Sequence, residues 1–130
     1  MARKNLLSIA DLTSDDIIRL MVRARELKQG KPGQHLGGKV LALLFEKPSL
    51  RTKVSFDVAM HRLGGYSIYL SQDEVGLGKR EPVADVARVL SRYVNGMAVR
   101  TFSQALVEGL ARYGSIPVIN ALTDLEHPCQ

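Results

Sequence analysis

The sequence has little of several things. A single cysteine, Cys129, leaves no partner for an internal disulfide and suits a reducing compartment. Aromatic residues make up only 5% of the chain and tryptophan is absent. That leaves little stacking surface for single-stranded nucleic acid, and the acids interspersed among the basic residues argue the same way. The longest apolar run, residues 40–45, falls far short of the roughly 20 residues of a membrane helix. No signal-peptide pattern follows Met1, because polar Asn5 and Ser8 and acidic Asp11, Asp15 and Asp16 interrupt the start. These features predict a cytoplasmic chain that binds neither membrane nor nucleic acid. His35, His61 and His127 have no metal-ligand spacing, so metal catalysis is not expected. Nucleotide motifs fail too. Gly76 and Gly78 follow a strand, but Glu81 stands where a dinucleotide fingerprint needs its third glycine, and no glycine stands five residues before Gly78-Lys79 for a P-loop.

What is present is a chain of 130 residues, 45% of them apolar, carrying a formal charge of +5. That is enough for one domain with a modest core, and the charge suits an anionic partner. Thr13 and Asp16 have capping-box spacing, and Ile17, Leu20, Met21, Ala24 and Leu27 then recur with helical period until Gly30 and Pro32. An amphipathic first helix is predicted. Residues 40–45 read as a buried strand, 52–63 as a helix ending at Gly64-Gly65, and 66–70 as a second strand. A loop over 71–81 leads to a helix over 82–93 with Pro82 at its first position. A strand over 97–100, a helix over 103–113 and a strand over 117–122 complete the series. Alternating strands and helices predict an α/β fold: a parallel four-stranded sheet flanked by helices, three-layer αβα and Rossmann-like. The alternation breaks off after the fourth strand, so the expectation is of a longer architecture cut short.

In open parallel sheets ligands bind beyond the carboxyl ends of the strands. After the first strand, Arg51 and Lys53 fall in the opening turn of a helix, where the macrodipole disfavours cations by some tenths of a kcal/mol. An arriving anion would reverse that cost, with the amides, Ser49 and Thr52 completing a phosphate cradle. The local pattern alone also allows Ser49 to be a simple cap, with Arg51 and Lys53 in solvent. After the third strand come Arg100 and Thr101, and after the fourth come Thr123, His127 and Gln130. Two guanidiniums, a hydroxyl, an imidazole and an amide on one sheet edge could hold a phosphate and a neighbouring carbonyl. Taken singly, Arg100 reads as a surface residue, His127 as a turn residue and Cys129 as packing.

The stretch Phe45-Glu46-Lys47-Pro48-Ser49-Leu50-Arg51-Thr52-Lys53 resembles the carbamoyl-phosphate loop of the aspartate and ornithine carbamoyltransferases, and His127-Pro128-Cys129-Gln130 resembles their second signature. Residues 81–102, with Asp85, Arg88, Arg92 and Arg100-Thr101-Phe102, are similar to the same family. Lys47 and Cys129 resemble the ornithine branch. The resemblance implies a carbamoyl-phosphate-binding domain over residues 1–130, ending before an ornithine-binding domain, and a reaction that turns carbamoyl phosphate and L-ornithine into L-citrulline and phosphate. It implies that Ser49, Leu50, Arg51, Thr52 and Lys53 wrap the phosphate. Arg51, Arg100 and His127 would be catalytic, and Gln130 would meet the carbamoyl nitrogen. It further implies no cofactor, no activity from the 130 residues alone, a place in arginine biosynthesis and a homotrimer. Leu50 stands where the family commonly has threonine, Lys53 where arginine is common, and Gly76 where a glutamine reaches into the neighbouring subunit. Lys79 is the residue expected to cross in its place. The competing expectations are an aspartate-type carbamoyltransferase and a non-catalytic phosphate- or nucleic-acid-binding module.

Overall fold

A computed structural model describes residues 5–30 and 33–130. Its centre is β1, Val40–Phe45, six consecutive apolar residues that are all buried. An unbroken apolar strand needs neighbours on both edges and cover on both faces. It has both: the parallel sheet runs in the order β2-β1-β3-β4, with β2 at Tyr66–Ser71, β3 at Gly96–Arg100 and β4 at Val118–Leu122. Leu43 is registered against Tyr69 of β2 and Ala98 of β3.

Alternate residues of a strand face opposite sides, and two cores follow. Val40, Ala42 and Leu44, with Met97, Val99 and Val118, pack against α4 (Val83–Tyr93) and α5 (Gln104–Tyr113) through Val86, Ala87, Val107 and Leu110. On the other side Leu41, Leu43 and Phe45, with Ala98 and Ala121, meet Met60 and Phe56 of α2, Leu50–Arg62. Three layers result, in agreement with the fold predicted. Each fully buried leucine or valine contributes about 1.5–3 kcal/mol. The path from β1 leads through α2 to one side, and from β2 it returns past β1 to β3. That reversal leaves a crevice at the carboxyl ends of β1 and β3.

Four details differ from the sequence expectations. A short helix, α3 at Gln72–Val75, interrupts the loop expected over 71–81; Ser71 Oγ caps it and Gly76, at φ +64°, ends it. Pro82 is the cap of α4 and not its first helical residue. The N-terminal segment adds to the sheet edge, since Leu6 pairs with Ile119 beside β4 and is followed by a 3-10 turn at Ile9–Asp11. Helix α1, Ser14–Gln29, forms with the expected Thr13–Asp16 capping box but buries none of its residues; Leu20 and Met21 are 53% and 68% exposed. Its caps and the Arg19–Asp16 and Arg23–Glu26 ion pairs support it in place of packing. Gly30 is its C-cap, and Pro32 lies outside the described residues.

The turn from α2 into β2 depends on a glycine. A Cβ on buried Gly65 would lie 2.7 Å from the Lys39 carbonyl oxygen and 2.9 Å from that of Leu36, both backbone atoms that cannot swing away. At Gly38, φ is +73° but no atom lies within 4 Å of a new Cβ. Gly65→Ala is therefore expected to destabilise by about 1–3 kcal/mol or more from overpacking, and Gly38→Ala by about 1 kcal/mol from backbone strain alone. Denaturant midpoints check the order, and a larger loss at Gly38 would contradict it.

Candidate functional site

The loop leaving β1 turns directly into α2. Ser49, in extended conformation, accepts the Thr52 N–H through its Oγ at 3.3 Å. A helix start leaves its leading amides without intrahelical partners. With Thr52 capped, those of Leu50 and Arg51 remain for an acceptor from outside the helix. The negative charge that would normally complement this end is missing, since no acid stands in the first turn.

Two other strand ends are tied to this one. Glu46 N–H donates to the Arg100 carbonyl at 2.8 Å, the Thr101 hydroxyl donates to Glu46 Oε1, and Thr101 N–H donates to the Leu122 carbonyl at 2.8 Å. Thr123, 3% exposed, then folds the chain back, its Oγ1 accepting the amides of Leu125 and Glu126 at 3.2 and 3.3 Å. A second turn closes with Gln130 N–H donating to the His127 carbonyl at 3.0 Å. Lys47 spans all three loops, 3.3 Å from Asp124 Oδ1 and 4.2 Å above the Phe102 ring.

The result is a crevice of about 670 Å³. Ser49, Arg51, Thr52, Arg100, His127 and Gln130 line it, so six of the residues expected at the site are brought together. Ser55, Phe56, Leu122 and Cys129 also line it and were not expected. Helical period could have found the first two, which stand four residues after Arg51 and Thr52; no residue pattern marks Leu122. Leu50 is 76% exposed and faces a groove beside Leu27 and Lys28 instead. Lys53 lies over the Tyr69 ring, its Nζ 3.8 Å from the centroid, outside the crevice walls. Lys79 is exposed in the turn after α3, its N–H donating to the Gly76 carbonyl, and takes no part in this chain's crevice.

The electrostatics are one-sided. The lining holds two arginines and no carboxylate. Arg100 Nε and His127 Nδ1 are both buried without a hydrogen-bond partner among the described residues. An unpaired buried polar atom costs about 1–3 kcal/mol, which an incoming oxyanion would relieve. Burial first, and the Arg100 charge second, hold the His127 imidazole below its usual range. Cys129 is an exposed residue, but its thiol donates to the Asn120 carbonyl at 3.3 Å and is pushed up by partial burial against the protein. Among the described residues no cluster of three or more His, Cys, Asp or Glu could hold a metal ion, and no helix is long and apolar enough to cross a membrane.

Known proteins share this fold and sequence pattern. Residues 4–130 match the family described as aspartate/ornithine carbamoyltransferase, carbamoyl-P binding domain. The chain is 53% identical over 130 residues to an ornithine carbamoyltransferase of Desulfotalea psychrophila, covering 97% of this chain and 43% of that protein. To the Gloeobacter violaceus enzyme of the same name it is 54% identical over 128 residues, covering 98% and 41%. The solved ornithine carbamoyltransferase of Pyrococcus furiosus superposes with a TM-score of 0.91 at 45% identity, over 98% of this chain and 42% of that one. The chain thus spans about two fifths of the length of these relatives.

The depressed imidazole has a measurable consequence. Since the unfolded chain binds a proton at His127 more readily than the folded one, its contribution to stability is complete above the unfolded value of about 6.5 and is lost as pH falls through the lower folded value. An NMR titration is expected to place His127 below that ordinary value. Arg100→Met should raise it part of the way, because burial is the larger cause, and saturating phosphate should raise it further. A His127 that titrates normally in the free chain would contradict this electrostatic picture.

Proposed function

Because the chain belongs to the aspartate/ornithine carbamoyltransferase carbamoyl-P binding domain family, we propose that it is the carbamoyl-phosphate-binding half of an ornithine carbamoyltransferase. The observation that carries this reading is the convergence of a bare helix start, Arg51, Arg100 and His127 on a crevice without a carboxylate in its lining.

The phosphate is bound at the start of α2 by the amides of Leu50 and Arg51, with the Thr52 hydroxyl beside them. Arg51 bridges phosphate and carbamoyl group. Arg100 and His127 lie at the carbonyl oxygen, which becomes an oxyanion when a neutral amine attacks the carbamoyl carbon. The tetrahedral intermediate then expels phosphate, which takes up the proton lost by the attacking amine and whose remaining charge Arg51 stabilises. Fixed donors of this kind are worth about 3–4 kcal/mol each. A neutral imidazole suits the role: it donates without adding a third positive charge beside two arginines, and the arriving anion draws it toward the protonated form. Gln130 holds the carbamoyl nitrogen.

We place the ornithine site outside these residues, and with it the choice of ornithine over another amine. The same reading carries a role in arginine metabolism, a cytoplasmic location and a homo-oligomer, a trimer by resemblance, in which Lys79 on its exposed turn reaches a neighbouring crevice.

Two outcomes test the reading. Arg51→Ala is expected to weaken binding of inorganic phosphate or carbamoyl phosphate by about 10–100-fold in calorimetry, the scale of a lost hydrogen bond to a charged group. Unchanged affinity would remove the cradle. The 130-residue chain alone is expected to form no citrulline, because holding the amine in line supplies roughly 7–11 kcal/mol of the barrier reduction. Adding the ornithine-binding part of a relative, fused or as a separate fragment, should restore turnover, and Arg51→Ala should remove it again. Robust citrulline formation by the purified chain alone would overturn the division of labour.

A further inference from the structure

Leu122, at the end of β4, has φ +143° and is the one non-glycine residue with positive φ among the described residues. The ladder is irregular at the same point. Val99 pairs with Asn120 but Arg100 pairs with Leu122, so Ala121 is an extra residue on β4. Such a bulge re-aims the chain that follows it. Here that chain carries His127 and Gln130 back over the crevice.

The bulge is held from below by Asn120, which is 0% exposed. Its Oδ1 accepts the Leu122 N–H at 2.9 Å. Its Nδ2 donates to the Leu7 carbonyl at 2.9 Å and to Gln104 Oε1 at 3.3 Å. Gln104 Oε1 also accepts the Thr123 hydroxyl at 2.7 Å, and the Asn120 carbonyl accepts the Cys129 thiol at 3.3 Å. A buried strand position such as this would ordinarily favour a β-branched apolar residue. A side-chain amide that bonds the backbone two residues on instead makes an Asx-type turn and competes with the ladder. The Asn120 side chain thus grips the returning segment at Leu122, where it leaves the sheet, while the backbone carbonyl of the same residue meets Cys129 where the segment reaches the crevice.

We propose that Asn120 is a positioning residue for the crevice, fixing the bulge at Leu122 and thereby the placement of His127 and Gln130 opposite Arg51. It acts through other residues, being buried away from any ligand, and its role rests on the anion-binding reading of the crevice. In Asn120→Ala, calorimetry should show phosphate affinity falling about tenfold, the scale of one lost hydrogen bond, and the His127 imidazole resonances should move. Val107→Ala, in the apolar core beneath α5 and without a bond to the bulge, chosen to give a comparable loss of Tm, should change neither. The double variant Asn120→Ala with Leu122→Gly should recover part of the affinity, because glycine accepts this φ without being held there. If Asn120→Ala does not fold, Asn120→Ser, whose hydroxyl can still accept the Leu122 N–H, replaces it in the same comparison with and without Leu122→Gly. An Asn120 variant that behaves like Val107→Ala, with His127 unmoved, overturns the proposal. If the unaltered chain binds no phosphate, the anion-binding reading fails by itself, and the His127 resonances alone decide whether Asn120 positions the turn.

Discussion

Positive charge held without a counter-charge is the constraint around which this structure is arranged. The amino end of α2 carries no acid in its first turn, and Arg51 and Arg100 open onto the same crevice with no carboxylate among its walls. Two features cost something in the free chain: an arginine at the wrong end of a helix dipole and a buried guanidinium nitrogen without a partner among the described residues. Natural sequences violate such local rules mainly where function requires it. On the proposed reading, an oxyanion in the crevice would offset both together.

The fold supplies the means of holding that arrangement. Parallel strands bring three loops to one edge, and the order β2-β1-β3-β4 opens the gap between β1 and β3. Buried polar bonds then fix the loops to one another: Glu46 with Thr101, Thr101 with Leu122, and Asn120 with Leu122 and Cys129. The exposed Lys47–Asp124 pair also joins loops, but a pair whose acid is 69% exposed adds at most about 1 kcal/mol. Precision at the site therefore comes from the buried bonds, and the surface pair only supplements them.

How much of this was legible in the sequence depends on the range of the interaction. The strands were readable because an apolar run such as 40–45 carries its own signal, and the cap at Ser49 because capping spans three residues. The odd charges at Arg51 and Lys53 pointed to an anion for the same local reason. Arg100 and His127 became site residues through the assumption that strand ends converge and through the family resemblance, and the structure brings both to one crevice. Lys53 shows the limit of that reasoning, since its cation found the Tyr69 ring. The Asn120 network was invisible because its partner Leu7 lies 113 residues away. The exposed face of α1 was equally hidden: helical period shows that a helix forms, not what covers it.

The central claim is that the start of α2, Arg100 and His127 act as one anion site. The direct measurement is a titration of the isotope-labelled chain with inorganic phosphate, followed by NMR at the amides of Leu50 and Arg51, the Arg100 Nε–H and the His127 imidazole. All four signals are expected to move together along a single binding curve, while those of α1 stay still. Movement of only the α2 amides, with Arg100 and His127 unaffected at saturation, would contradict the account.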